Sequence, residues 1–238
     1  METTLDTIKD VRIRQRKNGY RFSMDAVLLA SFVDMKVLKR AADFGAGSGV
    51  VGIMLAKRYP KAEVTLVELQ EGLHGLCLEN VRGNALEGRV KALCADIREL
   101  GQELQGLDLV VSNPPFRKPL SGKLSREEEK AIARHELELT LPELVKSASR
   151  SLKARGRFCM VYLPERLADV VAECRGADLE PKRLRFVHGR NGAEARMVLV
   201  EAVKQGRTAL KVEPPLFVYE GRGQDYTTEV LEMYGEEL

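Results

Sequence analysis

Between residues 40 and 163 the chain switches repeatedly from short apolar runs of strand length to longer stretches with helical spacing. The runs are 41–44, 63–68, 90–95, 107–112 and 156–163. Helices are expected over 50–58, 71–84 and 142–152, the last opened by Pro142 in its first turn, where proline is best tolerated. Strands separated by helix-length connections pair in parallel, and a parallel sheet needs both faces covered. The end of the chain breaks this rhythm. Strand-like runs at 183–187 and 196–203 are joined through His188-Gly189-Arg190-Asn191-Gly192-Ala193, too short a link for a crossover. The reading is an α/β chain, with a mostly parallel sheet, helices on both faces and a C-terminal antiparallel hairpin.

Residues 1–38 stand apart from this frame. Lys9, Arg12, Arg14, Arg16, Lys17 and Arg21 make a basic segment, and a helix then starts at Ser23 and carries Ala26, Val27, Leu28, Leu29 and Phe32. This part is expected to pack over the ligand-binding end of the sheet, and 39–238 reads as a single globular unit. Residues 117–138 are polar and charged, long for a connection, and read as a lid or a charged helix with a solvated face.

Composition excludes several classes. A net charge of +3, from 38 basic and 35 acidic residues, rules out a histone-like polycation but leaves room for a local basic patch. No apolar stretch approaches a membrane span, and Met1-Glu2-Thr3-Thr4 lacks a signal-peptide core. The four cysteines form no C-x-x-C pair, so a cytoplasmic protein without disulfides or a metal site is expected, with Cys94 and Cys159 as buried thiols.

Two motifs carry chemistry. The first is Asp43-Phe44-Gly45-Ala46-Gly47-Ser48-Gly49, between the first strand of the alternation and its helix. Alternating glycines let the backbone approach a ligand closely. Glu68 ends the next strand, where a carboxylate can take both hydroxyls of a ribose. A plain tight turn would leave both the three glycines and this spacing without a purpose. Gly47-Ser48-Gly49-Val50-Val51-Gly52 also matches G-x-G-x-x-G, which by itself suggests a dinucleotide. Asp43 argues against that, since a carboxylate suits an α-amino group better than a pyrophosphate. A donor with an adenine, a ribose and an α-amino group but no phosphate is S-adenosyl-L-methionine.

The second motif is Asn113-Pro114-Pro115-Phe116, at the carboxyl end of the apolar run 107–112. Two prolines fix two φ angles and remove two N–H donors, leaving a rigid turn with outward carbonyls. The Asn113 side chain and the Pro114 carbonyl can accept both hydrogens of a planar amino group, and Phe116 can stack on its π-face. Such an amine is a poor nucleophile because its lone pair is delocalised. Holding its hydrogens on one side favours a pyramidal nitrogen aimed at a methyl donor. No Ser/His/Asp or Cys/His constellation accompanies the turn, and none is needed. His74, His135 and His188 read as structural hydrogen-bonding residues.

Together these motifs make the chain resemble the class I S-adenosylmethionine-dependent methyltransferases over about 39–203. The resemblance implies a seven-stranded, mostly parallel Rossmann-like sheet whose last strand is antiparallel. It implies that Asp43, Gly45, Gly47 and Gly49 wrap the methionine part, that Glu68 holds the ribose, that Asp96 meets the adenine edge, and that Leu69 and Ile97 flank the ring. In such enzymes this turn goes with adenine N6, guanine N2 or a glutamine amide, and the tetrapeptide leaves the three open. The flanks, 19–26 (Gly-Tyr-Arg-Phe-Ser-Met-Asp-Ala), 214–219 and 226–229, resemble the bacterial tRNA(Val) adenine-N6 methyltransferase family. That resemblance implies an anticodon-loop adenine as acceptor and Tyr20, Phe22 and Asp25 as closing the cofactor pocket. The alternatives are an N2-guanine rRNA methyltransferase, a protein glutamine N5-methyltransferase and a non-catalytic RNA- or nucleotide-binding module. RNA, in particular tRNA, is the expected partner. Arg117 and Lys118 hold the best position for contacting it, and the basic N-terminal run together with Arg183, Arg185, Arg190 and Arg196 supplies further candidates for its phosphates. Monomer and homodimer both stay open.

Overall fold

The computed structural model describes residues 2–17, 23–114, 139–221 and 223–235. The elements are strands β1 (Thr3–Ile8) and β2 (Val11–Arg16), helix α1 (Met24–Phe32), β3 (Arg40–Phe44), α2 (Val50–Arg58), β4 (Glu63–Glu68), α3 (Glu71–Gly83), β5 (Val90–Cys94) and β6 (Leu107–Ser112). They continue with α4 (Leu141–Ser151), β7 (Leu152–Tyr162), α5 (Leu167–Gly176), β8 (Leu179–His188), β9 (Ala195–Lys204), the two-residue strands β10 (Lys211–Val212) and β11 (Leu216–Phe217), and α6 (Thr228–Tyr234).

The main sheet runs β10-β8-β9-β7-β6-β3-β4-β5, and β11 also pairs with β8. β3, β4, β5, β6 and β7 are parallel, and β9 enters antiparallel between β7 and β8. The seven expected strands are therefore present, with the antiparallel one where the short 188–193 link requires it. β10 and β11 extend the outer edge beyond that expectation. Two-residue strands carry too little periodicity to be read from sequence.

β6 is buried at every position, as a strand covered on both faces must be, and that is why it reads as a continuous apolar run. Asp108 is the charged exception within it. Its carboxylate accepts from the backbone N–H groups of Lys39 and Arg40, both at 2.9 Å, and pairs with Lys153. The start of β3 is thereby tied to the start of β6. Pro142 stands in the first turn of α4, preceded by a capping box in which Thr140 and Glu143 satisfy each other's backbone N–H groups. α1 packs on α2, and α4 on α5, and these pairs flank the sheet.

A hairpin near the start of the described chain was not read from sequence, and the expectation of a buried Cys94 is overturned. Residues 3–16 form an antiparallel hairpin, β1–β2. Cys94 is exposed, whereas Cys159 is buried as expected. The reason is position, since Cys94 ends β5, the edge strand, and Cys159 lies in β7 inside the sheet.

Candidate functional site

Strand order reverses between β3 and β6, because the chain builds outward from β3 through β4 to β5 and then returns to start again at β6. Connections leave such a point in opposite directions, and a crevice opens at the carboxyl ends of the two strands. β3 delivers Asp43 and the glycine loop to it, β4 delivers Glu68, and β6 delivers Asn113 and Pro114. The Ser112 hydroxyl donates to the Phe44 carbonyl at 2.8 Å, fixing the root of the proline turn against the root of the glycine loop.

Asp43 is sealed in, at 1% exposure. Its Oδ2 accepts from the Gly52 N–H at 2.9 Å. A Cβ at Gly52 would stand 2.2 Å from Leu66 Cδ2 and 3.2 Å from Asp43 Cβ, so only a glycine lets α2 lie this close to β3 and β4. Burial pushes the Asp43 carboxyl up to about 7, the bond from Gly52 partly opposes that, and the nearby Glu68 charge adds to it. Glu68 is buried too, its Oε2 accepting from Gly47 N–H at 2.8 Å and its Oε1 from Gln70 N–H at 2.9 Å. The amino end of α2 thus already faces two carboxylates. A pyrophosphate would meet negative charge where a phosphate-binding loop offers bare N–H groups, whereas a cationic ligand meets its complement. Gly52 does the packing work of a third fingerprint glycine, but the electrostatics are not those of a dinucleotide site.

Two cavities adjoin here and share Gly45 and Asn113. The larger, of about 230 Å³, is lined by Gly45, Gly47, Glu68, Leu69, Asp96, Ile97 and Asn113 among the residues expected from sequence. Arg16, Gln70, Leu73 and Leu139 were not expected there. The smaller, of about 10 Å³, is bounded by Asp43, Gly45, Ala46, Ser48, Ala26 and Asn113. Gly49 and Asp25 line neither. Gly49 is the N-cap of α2 with φ +85°. Asp25 is buried and receives the Ser23 hydroxyl, so Ser23 holds the N-cap position of α1 without capping it. Asp96 caps a 3-10 turn, Ile97–Glu99, and hydrogen bonds from the Arg98 side chain hold its carboxyl below the usual range. Tyr20, Phe22, Pro115, Phe116, Arg117, Lys118, His135 and the charged stretch 117–138 lie outside the described residues.

The basic residues of the C-terminal hairpin need correction. Arg183 is bound to Glu201, Glu213 and the Phe32 carbonyl. Arg185 makes two bonds to Glu229, at 2.6 and 2.8 Å, and Arg190 donates to the Gly223 carbonyl. These side chains are committed to structure, and of the four only Arg196 is exposed. His188 is also structural, its Nδ1 lying 2.7 Å from the Ala193 carbonyl oxygen. Arg16 could have been found from sequence. Val11, Ile13 and Gln15 alternate strictly with Arg12, Arg14 and Arg16, the pattern of a half-buried strand.

Among the described residues no helix is long and apolar enough to cross a membrane, and no group of three or more His, Cys, Asp or Glu is placed to hold a metal ion. Comparison with known proteins matches residues 21–171 to the methyltransferase small domain family. A tRNA1(Val) (adenine(37)-N6)-methyltransferase of a Flavobacteriaceae bacterium (strain 3519-10) is 25% identical over 94% of this chain and 93% of its own. Its namesake from Porphyromonas gingivalis strain W83 is 30% identical over 71% of this chain and 69% of its own. Among solved structures, one described as a predicted O-methyltransferase from Agrobacterium tumefaciens superposes with a TM-score of 0.71 at 26% identity, covering 88% of this chain and 95% of that one.

Proposed function

The chain belongs to the methyltransferase small domain family and takes its methyl group from S-adenosyl-L-methionine, and from that premise we propose that it methylates N6 of adenine 37 in a tRNA anticodon loop. The residues of the crevice fit this donor. Gly45, at φ +70°, has nothing within 4 Å of the place where a Cβ would stand, so a ligand can lie against the bare backbone. Among the described residues no cationic side chain pairs with Asp43, which suits it to an α-ammonium. When bound, S-adenosyl-L-methionine supplies a methyl group on a positively charged sulfur. Asp43 and the backbone at 45–49 would hold its methionine part, and Glu68 the ribose. Leu69, Asp96 and Ile97 would hold the adenine, while Asp25, with Tyr20 and Phe22, would close the pocket.

The observation that carries the reading is the position of Asn113, which borders both cavities and so faces the junction between the Asp43 end and the Glu68 end. An amino group held by the Asn113 side chain and the Pro114 carbonyl would present its lone pair at that junction. In this reading the Pro115 ring would stiffen the turn, Phe116 would take the stacking role, and Arg117 and Lys118 the RNA contact. The chain needs no general base before transfer, because the nitrogen sheds its proton only after becoming cationic. A loop adenine is already partly unstacked, so extruding it costs less than from a duplex. The relatives, which are adenine-N6 methyltransferases by name, favour adenine over guanine or glutamine.

The test is mass spectrometry of nucleosides from tRNA incubated with the protein and labelled donor. N6-methyladenosine in the anticodon loop of a valine tRNA is expected. Labelled N2-methylguanosine, or label in a glutamine of a translation factor and none in tRNA, would replace the reading. In the same assay Asn113→Ala should lower kcat by roughly 100-fold, the usual worth of one transition-state hydrogen-bonding group, with cofactor affinity nearly unchanged. Turnover like the wild type's would remove Asn113 from the mechanism.

A further inference from the structure

The β1–β2 hairpin lies outside residues 21–171, the part that matches the family, yet it reaches the larger cavity. Its attachment is specific. Asn80 on α3 and Asn84, the residue that caps its carboxyl end, each use their side-chain amide as a peptide group would. Asn80 accepts from Arg14 N–H at 2.7 Å and donates to the Arg14 carbonyl at 2.8 Å. Asn84 does the same with Arg12, at 2.9 and 2.7 Å. The Asn80 amide also donates to the Ser48 carbonyl at 2.8 Å, so one side chain locks hairpin, helix and glycine loop together. β2 is thereby paired on one side with β1 and on the other with a helix.

The next residue outward on this rail after Arg12 and Arg14 is Arg16. It lines the larger cavity beside Glu68, Leu69, Gln70 and Leu73. Its guanidinium rests on the first turn of α3, in the space that Gly72 leaves open. A Cβ at Gly72 would stand 2.2 Å from Arg16 Nη2. This end of the cavity, with Leu69, Ile97 and Glu68, is the one assigned above to the nucleoside. A planar cation is well matched to the face of a purine. We propose that the hairpin is the outer wall of the nucleoside pocket and that Arg16 is a cofactor-binding residue whose guanidinium covers the adenosine of the bound cofactor. The proposal rests on the methyltransferase reading.

The experiment is calorimetry of the full chain with S-adenosylhomocysteine and with 5′-methylthioadenosine, which keeps the nucleoside and lacks the amino acid. Binding of both to the wild type tests the reading, and binding of neither would remove it and this proposal together. Given wild-type binding, Arg16→Ala should weaken both ligands equally, by about tenfold. Gly72→Ala keeps Arg16 but puts a methyl group in its seat, and alanine favours a helix over glycine, so α3 should not suffer. It should weaken both ligands in the same direction as Arg16→Ala. Affinities within twofold of wild type in both variants would overturn the proposal. So would an Arg16→Ala variant with unchanged cofactor affinity and a raised KM for tRNA, which would make Arg16 an RNA contact.

Discussion

Glu201 on β9 and Asp43 on β3 are both carboxylates sealed inside the same sheet, at 4% and 1% exposure, and the fold treats them in opposite ways. Glu201 accepts from the guanidinium groups of Arg157 and Arg183, each at 3.1 Å. Arg183 in turn lies 4.0 Å over the Phe32 ring and bonds the Phe32 carbonyl, while Arg157 bonds the Asp34 carbonyl at 2.9 Å. Every charge in that cluster is answered, and the cluster ties the end of α1 to three strands. Asp43 has one backbone N–H and a second acid nearby, and its carboxyl is pushed up to about 7. Burying an acid without a cation costs stability that a fold recovers only if something else supplies the charge. A buried acid with two guanidinium groups is architecture, and a buried acid facing a cavity without one fits the ligand role proposed for Asp43.

The largest test of that contrast is on the architectural side. Glu201→Gln removes the charge with little change of shape and leaves the mostly buried Arg183 and the partly exposed Arg157 without their shared carboxylate, which should cost about 3 kcal/mol. For a chain of this size that lowers Tm by roughly 10 °C. Affinity for S-adenosylhomocysteine in the folded protein should stay close to wild type. If affinity fell as steeply as stability, the cluster would belong to the site and the contrast would fail. On the ligand side, Glu68→Ala should weaken cofactor binding by roughly 1.5–3 kcal/mol, the worth of charge-assisted hydrogen bonds to a ribose. An unchanged dissociation constant would reject the ribose role.

The same contrast explains what could be read in the sequence. The gathering of residues at the crevice was legible because its parts are local. Asp43, the alternating glycines and Glu68 belong to two adjoining strand ends, and the strand–helix rhythm places both at one edge of the sheet. The architectural side was not legible. Arg183 looked like a phosphate contact because its partners, Phe32 and Glu201, come together only in the folded chain. Arg185 and Glu229 are likewise 44 residues apart. The C-terminal motifs at 214–219 and 226–229, which carried a family resemblance without a mechanism, find one in structure. Thr227 donates to the Phe217 carbonyl at 2.7 Å, Tyr226 stacks between Tyr219 and Tyr234, and Glu229 holds Arg185, so these residues fasten the tail to the outer edge of the sheet. At the other end, density of positive charge hid the alternation of 11–16, and with it the hairpin that brings Arg16 to the cavity.

The finest test sets Asp43 against itself, because its ionisation moves folding and binding in opposite directions. Its carboxyl titrates at about 7 in the fold, against the ordinary 3.8. Folding therefore takes up a proton between those values, and this contribution to stability is full below about 4 and gone once the pH passes about 7. Asp43→Asn keeps an oxygen for the Gly52 N–H and never ionises. Without ligand it should melt higher than wild type, by a margin wider at pH 8 than at pH 5. Binding has the other sign, since an α-ammonium prefers the ionised carboxylate. Wild-type affinity for S-adenosylhomocysteine should rise about tenfold between pH 6 and pH 8 and then level off, and in Asp43→Asn it should be weak and flat across that range. The two pH series can be run on the same samples, by melting and by calorimetry. A margin in Tm that did not widen with pH would mean that Asp43 is ionised at no cost in the fold. The distinction between a carboxylate kept for a ligand and one kept for architecture would then have lost its physical basis.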